Sequence, residues 1–228
     1  MVQVIAHRGA SKAAPENTLE AFGLARRLGA DWVELDARRT VDGAIVVHHD
    51  VHLPDGRIIA ETQSKDLPCS VPALGPAIDA CDGMGVNIEI KNLPGEADFD
   101  LSEAVAHGVA AEIGRRANHS DVLVSSFHLP SIDRVLELDD RVATGLLVYR
   151  GDEPHRLADL ARRHGHQAIH PWDALVDEAL VAAAHQRRLA VNVWTVDDPV
   201  RMAELVDLDI DGIVTNIPDV ARQVVDAV

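Results

Sequence analysis

Aromatic residues are scarce in this chain: Phe, Trp and Tyr supply 3% of its 228 positions. Apolar residues nevertheless reach 47%, so a sizeable core must be assembled chiefly from Ala, Val, Leu and Ile. Cysteine is almost missing. Cys69 and Cys81 make neither a metal-ligand spacing nor a disulfide framework, and both read as reduced thiols in or near the core. No apolar run approaches the roughly 20 residues of a membrane-spanning helix, which excludes membrane insertion. Strand-like sequence starts at Val2 rather than after a charged and then apolar leader, so the expected location is cytoplasmic. Positive charge is in deficit: 21 Lys and Arg stand against 37 Asp and Glu, for a net charge of −16, and only three residues are lysine. Such a balance excludes nucleic acid or an anionic membrane as the main partner. It also sets a condition, because an anionic small molecule would need positive charge concentrated at its site.

Linkers, low-complexity tracts and like-charge runs are absent as well, and the length suits one domain over 1–228. What recurs is a short β-branched run, a polar turn and an Ala- and Arg-rich helical stretch. The strand candidates are "VQVIAHR", "DWVELDARR", "GVNIEIK", "DVLVSSF", "ATGLLVY", "QAIHPW", "AVNVWTV" and "DGIVTN". Helical sequence such as "NTLEAFGLARRLGA" or "ALVDEALVAAAHQRR" alternates with them. Asn17 and Glu20, just after Pro15, read as an N-cap and capping box. Eight such strands predict an α/β fold, a closed (β/α)₈ TIM barrel. An open doubly wound sheet is disfavoured by the strand count and by the lack of G-x-G-x-x-G after strand one. One excursion interrupts the alternation between strand two and the third helix. Over about 44–72, "AIVVHHD" hairpins back on strand two and a Pro- and Gly-punctuated loop crosses the barrel mouth.

In such a barrel the chemistry belongs at the C-terminal strand ends. Strand one ends in His7 and Arg8, strand two carries Glu34 and Asp36, the extra strand ends in His48, His49 and Asp50, and strand three carries Glu89 and Lys91. Later ends are polar or aromatic: Ser125–Ser126–Phe127, His170, Trp194–Thr195 and Thr215–Asn216. Residues at i and i+2 share a strand face, so Glu34 pairs in direction with Asp36, and Glu89 with Lys91. Leu35 and Ile90 then face the helices. Three carboxylates converging at about 5 Å would repel by roughly 3 kcal/mol per pair at an effective dielectric near 20. Simple pairing with Arg8, Arg38 and Lys91 is the plainer reading. Yet with so few lysines in the chain, a hard divalent cation, Mg²⁺ or Ca²⁺, fits an all-oxygen donor set better. Such an ion, with Arg8 and Lys91, would also supply the local positive charge that a phosphate anion requires.

The linked motifs "HRG", "PENTLEAF", "ELDARRTVDGAIVVHHD", "NIEIK", "VSSF", "VNVWTVDDP" and "DGIVTNIPD" resemble the glycerophosphodiester phosphodiesterase family, in order and over nearly the whole chain. The resemblance implies the same barrel and a metal held by Glu34, Asp36 and Glu89. It implies acid/base histidines at His7 and His49, phosphate contacts from Arg8 and Lys91, and Trp194 as the aromatic beside the substrate. Adjacency puts His48 and His49 on opposite sides; parity does not choose between them, and the resemblance selects His49. After "HD" this chain departs from the family pattern: "VHLPDGRIIAETQSKDLP" is short and lacks an Arg-Thr-Thr stretch.

The implied activity is hydrolysis of glycerophosphodiesters, such as glycerophosphocholine and glycerophosphoethanolamine, to sn-glycerol 3-phosphate and an alcohol. Two alternatives are a lysophospholipase D-like lipid phosphodiesterase and a barrel that binds phosphorylated ligands without turnover. The first would need an apolar platform; the second would not need paired histidines. His52 reads as a surface residue, His170 as a lining residue at most, and Glu16 as helix-start structure. Ser126 and Phe127 are expected on the phosphate side.

Overall fold

The computed structural model describes residues 1–116, 119–150 and 154–227. Among these, eight parallel strands close into a barrel: β1 (Gln3–His7), β2 (Trp32–Arg39), β4 (Gly85–Ile90), β5 (Val122–Ser126), β6 (Ala143–Val148), β7 (Ala168–Pro171), β8 (Ala190–Val193) and β9 (Gly212–Thr215). Each pairs with the next, and β1 pairs with both β2 and β9, which completes the ring. The helices α1 (Leu19–Arg27), α2 (Leu74–Ala80), α3 (Ala104–Gly114), α4 (Leu129–Leu138), α5 (Pro154–His164), α6 (Glu178–Gln186) and α7 (Pro199–Asp207) lie between successive barrel strands, and α8 (Pro218–Asp226) follows β9. Closure leaves no open strand edge among the eight, which is the physical gain of this architecture over an open sheet.

The expected core composition holds. Val, Ile, Leu and Ala from strands and helices form one extended buried cluster, and Phe22 is its one fully buried large aromatic. Leu35 and Ile90 are buried within that cluster, on the opposite strand face from Glu34, Asp36 and Glu89. Cys81 lies in the same cluster, where burial pushes its thiol up to about 12. Cys69, by contrast, is exposed: it sits on the Pro-rich loop, where no sheet or helix covers it. No described helix is long and apolar enough to cross a membrane.

The excursion forms as expected at its start. Strand β3 (Ile45–Val47) runs antiparallel to β2, with Ala37 opposite Val47 and Arg39 opposite Ile45. Gly43, at φ +84°, makes the reversal. Beyond β3, Leu53 and Ile59 form a small separate core with Val46 of that strand, and Leu67 and Val71 pack on it. The excursion ends in α2, the second helix rather than the third, because only α1 precedes it. A second expectation fails at the start of α1. Thr18, not Asn17, is the N-cap; its side chain accepts a hydrogen bond from the Ala21 amide. Position N3 is therefore Ala21, and no capping box forms.

Candidate active site

Register brings the ionisable residues together. In the β1–β2 ladder His7 lies opposite Glu34, and in the β2–β4 ladder Asp36 lies opposite Glu89. Lys91 follows β4 by one residue, and His49 follows β3 by two. A cavity of about 130 Å³ at this end of the barrel is lined by His7, Arg8, Glu34, His49, Glu89 and Lys91, with Phe127 and Trp194 on the far side. His48 is not in that lining and instead holds the Asp50 carbonyl through Nδ1, so of the two adjacent histidines it is His49 that lines the cavity.

The carboxylates are buried and unequally compensated. Asp36 is fully buried, with Lys91 Nζ at 3.0 Å and Arg8 Nε at 3.3 Å. Burial alone would raise its proton affinity, but Lys91 and Arg8 hold it far below the usual carboxylate range. Glu89 Oε1 accepts from Lys91 Nζ at 2.5 Å; burial still leaves the group raised, against the pull of Lys91. Glu34 has no side-chain cation to itself. Its Oε2 accepts the Arg8 amide at 3.0 Å, and its Oε1 is buried without a hydrogen bond. Burial, then Asp36 and Glu89, push Glu34 well above its ordinary value. Arg38 takes no part: its Nη1 binds Glu96 and Asp98, and its Nε donates to the His49 carbonyl. Two cations thus face three carboxylates, and pairing alone does not satisfy the cluster.

A divalent cation fits what remains. Glu34, Asp36 and Glu89 each offer an oxygen within 4.8 Å of the other two, and the orphaned Glu34 Oε1 is a ready donor. Oxygen donors of this kind suit a hard ion. Burial lowers the proton affinity of Lys91, but Glu89 and Asp36 more than reverse this and raise it, so the ammonium stays charged.

Both histidines are held through Nδ1. The His7 Nδ1 lies 2.8 Å from Asn216 Oδ1, whose orientation is set because Asn216 Nδ2 donates to Asp197 Oδ2 and Ser11 Oγ donates to the same Oδ1. The imidazole must therefore donate from Nδ1, and its Nε2 points toward Glu34 Oε2, 4.0 Å away. For His49 the Asp50 carboxylate fixes the ring in the same manner at 2.7 Å. Burial is the main cause that lowers the proton affinity of both rings, helped by Arg8 at His7 and by Lys91 at His49.

Several residues act here without having been singled out for it. Asn17, in the left-handed region at φ 57°, is buried; its Nδ2 donates to Asp36 Oδ2 at 2.7 Å and its Oδ1 accepts the Asp36 amide. Glu16 accepts from Arg8 Nη1 at 2.9 Å and anchors the guanidinium rather than the helix. Asn216 was visible as a strand-nine end, and Asp197 lies within "TVDDP", but their link to His7 spans the whole chain. Ser126 turns away from the cavity to donate to the Ile90 carbonyl, whereas Phe127 lines it and meets Trp194 edge-on at 5.4 Å. Trp194 Nε1 donates to the His170 carbonyl, which fixes its indole at the rim. Exposed Tyr149 packs edge-on against Phe127 and extends this aromatic wall. His170 lines the cavity floor, and His52 is exposed, both as expected.

A parallel barrel with buried carboxylates, two fixed imidazoles and two cations at one mouth has the composition of a site for phosphodiester hydrolysis. Residues 7–220 match the model of the Glycerophosphoryl diester phosphodiesterase family, and the chain belongs to that family. It is 31% identical to a glycerophosphodiester phosphodiesterase of Caldanaerobacter subterraneus subsp. tengcongensis, over 95% of this chain and 94% of that protein. A phosphodiesterase of Oleispira antarctica, solved with the product sn-glycerol-3-phosphate, superposes with a TM-score of 0.89 at 26% identity, covering 98% of this chain and 96% of that one. The glycerophosphodiester phosphodiesterase of Thermotoga maritima gives a TM-score of 0.79 at 25% identity, with 98% of each chain covered.

Proposed function

We propose that residues 1–228 work as a single domain hydrolysing glycerophosphodiesters, such as glycerophosphocholine and glycerophosphoethanolamine, to sn-glycerol 3-phosphate and an alcohol. The observation that carries this reading is the pair of imidazoles, His7 and His49, each tied at Nδ1 and each lining a cavity that also holds Arg8 and Lys91. Glu34, Asp36 and Glu89 would hold one Mg²⁺ or Ca²⁺ ion, which when bound neutralises phosphate charge and acidifies a nearby hydroxyl. Arg8 and Lys91 receive the phosphate oxygens, the first as a fork and the second as a point charge. One histidine takes the proton from the glycerol hydroxyl next to the ester as that oxygen attacks phosphorus. The P–O bond to the alcohol breaks, and the other histidine protonates the departing oxygen. Water then opens the cyclic phosphate with the two roles reversed. Trp194 and Phe127 flank the organic part of the substrate. The loop over about 44–72 carries His49 into place and forms one wall of the mouth.

The test is direct. Purified protein is incubated with glycerophosphocholine and with lysophosphatidylcholine, with and without chelator, and glycerol 3-phosphate and choline are assayed. The expected result is glycerol 3-phosphate from glycerophosphocholine, abolished by chelator and restored by Mg²⁺ or Ca²⁺. His49→Ala should lower kcat by about 10²–10⁴. Turnover of lysophosphatidylcholine alone would overturn the substrate assignment, and full activity in His49→Ala would overturn the acid/base one.

A further inference from the structure

A second cluster of metal-binding side chains lies away from the mouth. Asp133 projects from α4, His164 closes α5, and His166 sits in the junction leading to β7. One ligand atom from each falls within 4.8 Å of the other two. His164 Nδ1 is 3.0 and 2.9 Å from the two Asp133 oxygens, and His166 Nε2 is 3.3 Å from Asp133 Oδ1. Gly165 between the histidines adopts φ +90°, a conformation costly for any residue with a Cβ. This turn folds "HGH" back on itself so that the two rings stack at 6.1 Å.

His166 is the buried member of the cluster. Its side chain is fully buried, and its Nδ1 is 2.9 Å from Thr144 Oγ1. Thr144 Oγ1 is also 3.4 Å from Gln167 Oε1, whose amide is oriented by Gln167 Nε2 donating to the Gly165 carbonyl. With the Thr144 hydrogen on that oxygen, His166 Nδ1 donates and a lone pair remains on Nε2. Among the described residues that Nε2 has no hydrogen-bond partner, yet it faces a carboxylate oxygen. With Nε2 unprotonated, two lone pairs face each other and repel, and a bridging cation removes the conflict.

We propose that Asp133, His164 and His166 form a two-histidine, one-carboxylate site for a zinc-class transition ion, separate from the hard-cation site at the mouth. Bond lengths of about 2.0–2.2 Å around tetrahedral zinc place neighbouring ligand atoms roughly 3.3 Å apart. The observed N···O separations of 2.9–3.3 Å need only small adjustment to meet that spacing. Imidazole donors select zinc, cobalt, nickel or copper over magnesium and calcium. Thr144, holding Nδ1, is the outer-shell partner that such ligands commonly have. Thr144 lies near the N-terminal end of β6, so the site is at the barrel end opposite the mouth. A bound ion would tie α4 to the α5–β7 junction.

The experiment uses the full chain, stripped with chelator and then held in saturating Mg²⁺, as wild type, His164→Ala and Asp133→Asn. Each is titrated with Co²⁺ and Zn²⁺ and followed by visible absorption, bound-metal stoichiometry and Tm. In the wild type a Co²⁺–imidazole absorption should appear and be displaced by Zn²⁺. The Tm should rise by roughly 5–10 °C with Zn²⁺ at a hundredfold excess over its Kd. Both variants should bind one equivalent fewer and lose the Tm rise, while Mg²⁺-dependent hydrolysis stays within about twofold of wild type and reports an intact fold. Imidazole ¹⁵N spectra of the wild type, which need no variant, should show Zn²⁺ shifting His164 Nδ1 and His166 Nε2. Equal stoichiometry and equal Tm rise in all three proteins, or unmoved ¹⁵N signals, would overturn the site.

Discussion

His170 is a buried base with no charge partner: burial alone lowers it to about 4, and its Nε2 accepts from Asn192 Nδ2 at 3.0 Å. The consequence for stability has a definite sign. Above pH 6.5 the ring is neutral in folded and unfolded chains alike, and burial carries no protonation cost. Between pH 6.5 and about 4 the unfolded chain binds a proton that the folded chain refuses, so stability falls on acidification, by about 3 kcal/mol at the lower end. Chemical denaturation between pH 4.5 and 7.5 should show a shallower fall in His170→Gln than in wild type; identical slopes would mean that His170 is not buried as a neutral ring. Other single residues show where reading the chain stops. That Glu34 and Asp36 share a face followed from the period of two, because the pleat dictates it. That Asn17 holds Asp36 did not follow, since it requires a left-handed residue to fold a loop over a strand and place two distant polar groups 2.7 Å apart. Likewise, the Asn216–His7 bond joins residues at opposite ends of the sequence, and only barrel closure brings them together.

At the scale of elements, the turn between β1 and α1 is the most constrained in the site. Arg8 and Gly9 both take positive φ, and a Cβ on Gly9 would come within 2.7 Å of the Ala21 backbone carbon. That contact is with helix backbone, which cannot move aside as a flexible side chain would. Gly9→Ala should destabilise the protein by roughly 2 kcal/mol or more, measured by urea denaturation at pH 7. A change within about 0.5 kcal/mol would show that α1 does not pack this tightly. All eight barrel strands and the β3 hairpin were legible from β-branched runs and turn residues, because buried strands advertise themselves by composition. The cap of α1 was less so. "PENTLE" offers two adjacent capping residues, and the choice of Thr18 over Asn17 was decided by the tertiary pull of Asp36. Past β3 the loop's small core of Val46, Leu53 and Ile59 depends on contacts between separated short runs, for which no local pattern exists.

For the molecule as a whole, an overall charge of −16 would oppose the approach of a net-anionic phosphodiester, while the proposed phosphate contacts, Arg8 and Lys91, would attract it only at short range. The two effects are screened differently. At about 10 mM ionic strength the Debye length is near 30 Å and the whole surface is felt; at 0.15 M it is about 8 Å and the distant acids largely drop out. With the metal kept saturating, kcat/KM for a net-anionic glycerophosphodiester such as glycerophosphoglycerol should therefore rise severalfold between these conditions, the reverse of an electrostatically steered enzyme. A flat or falling profile would show that the local field governs approach from the start. The mouth is also divided in angle around the barrel axis. Its charged groups come from β1, β2, the β3 loop and the end of β4, whereas Phe127, Tyr149, Trp172 and Trp194 follow β5, β6, β7 and β8. Because the two arcs are separate stretches of chain, mutation can sample the aromatic half while the charged half stays intact. For protein engineering, this marks the aromatic arc as the part to diversify, provided that Asn216 and Asp197, which hold His7 from the later stretch, are kept.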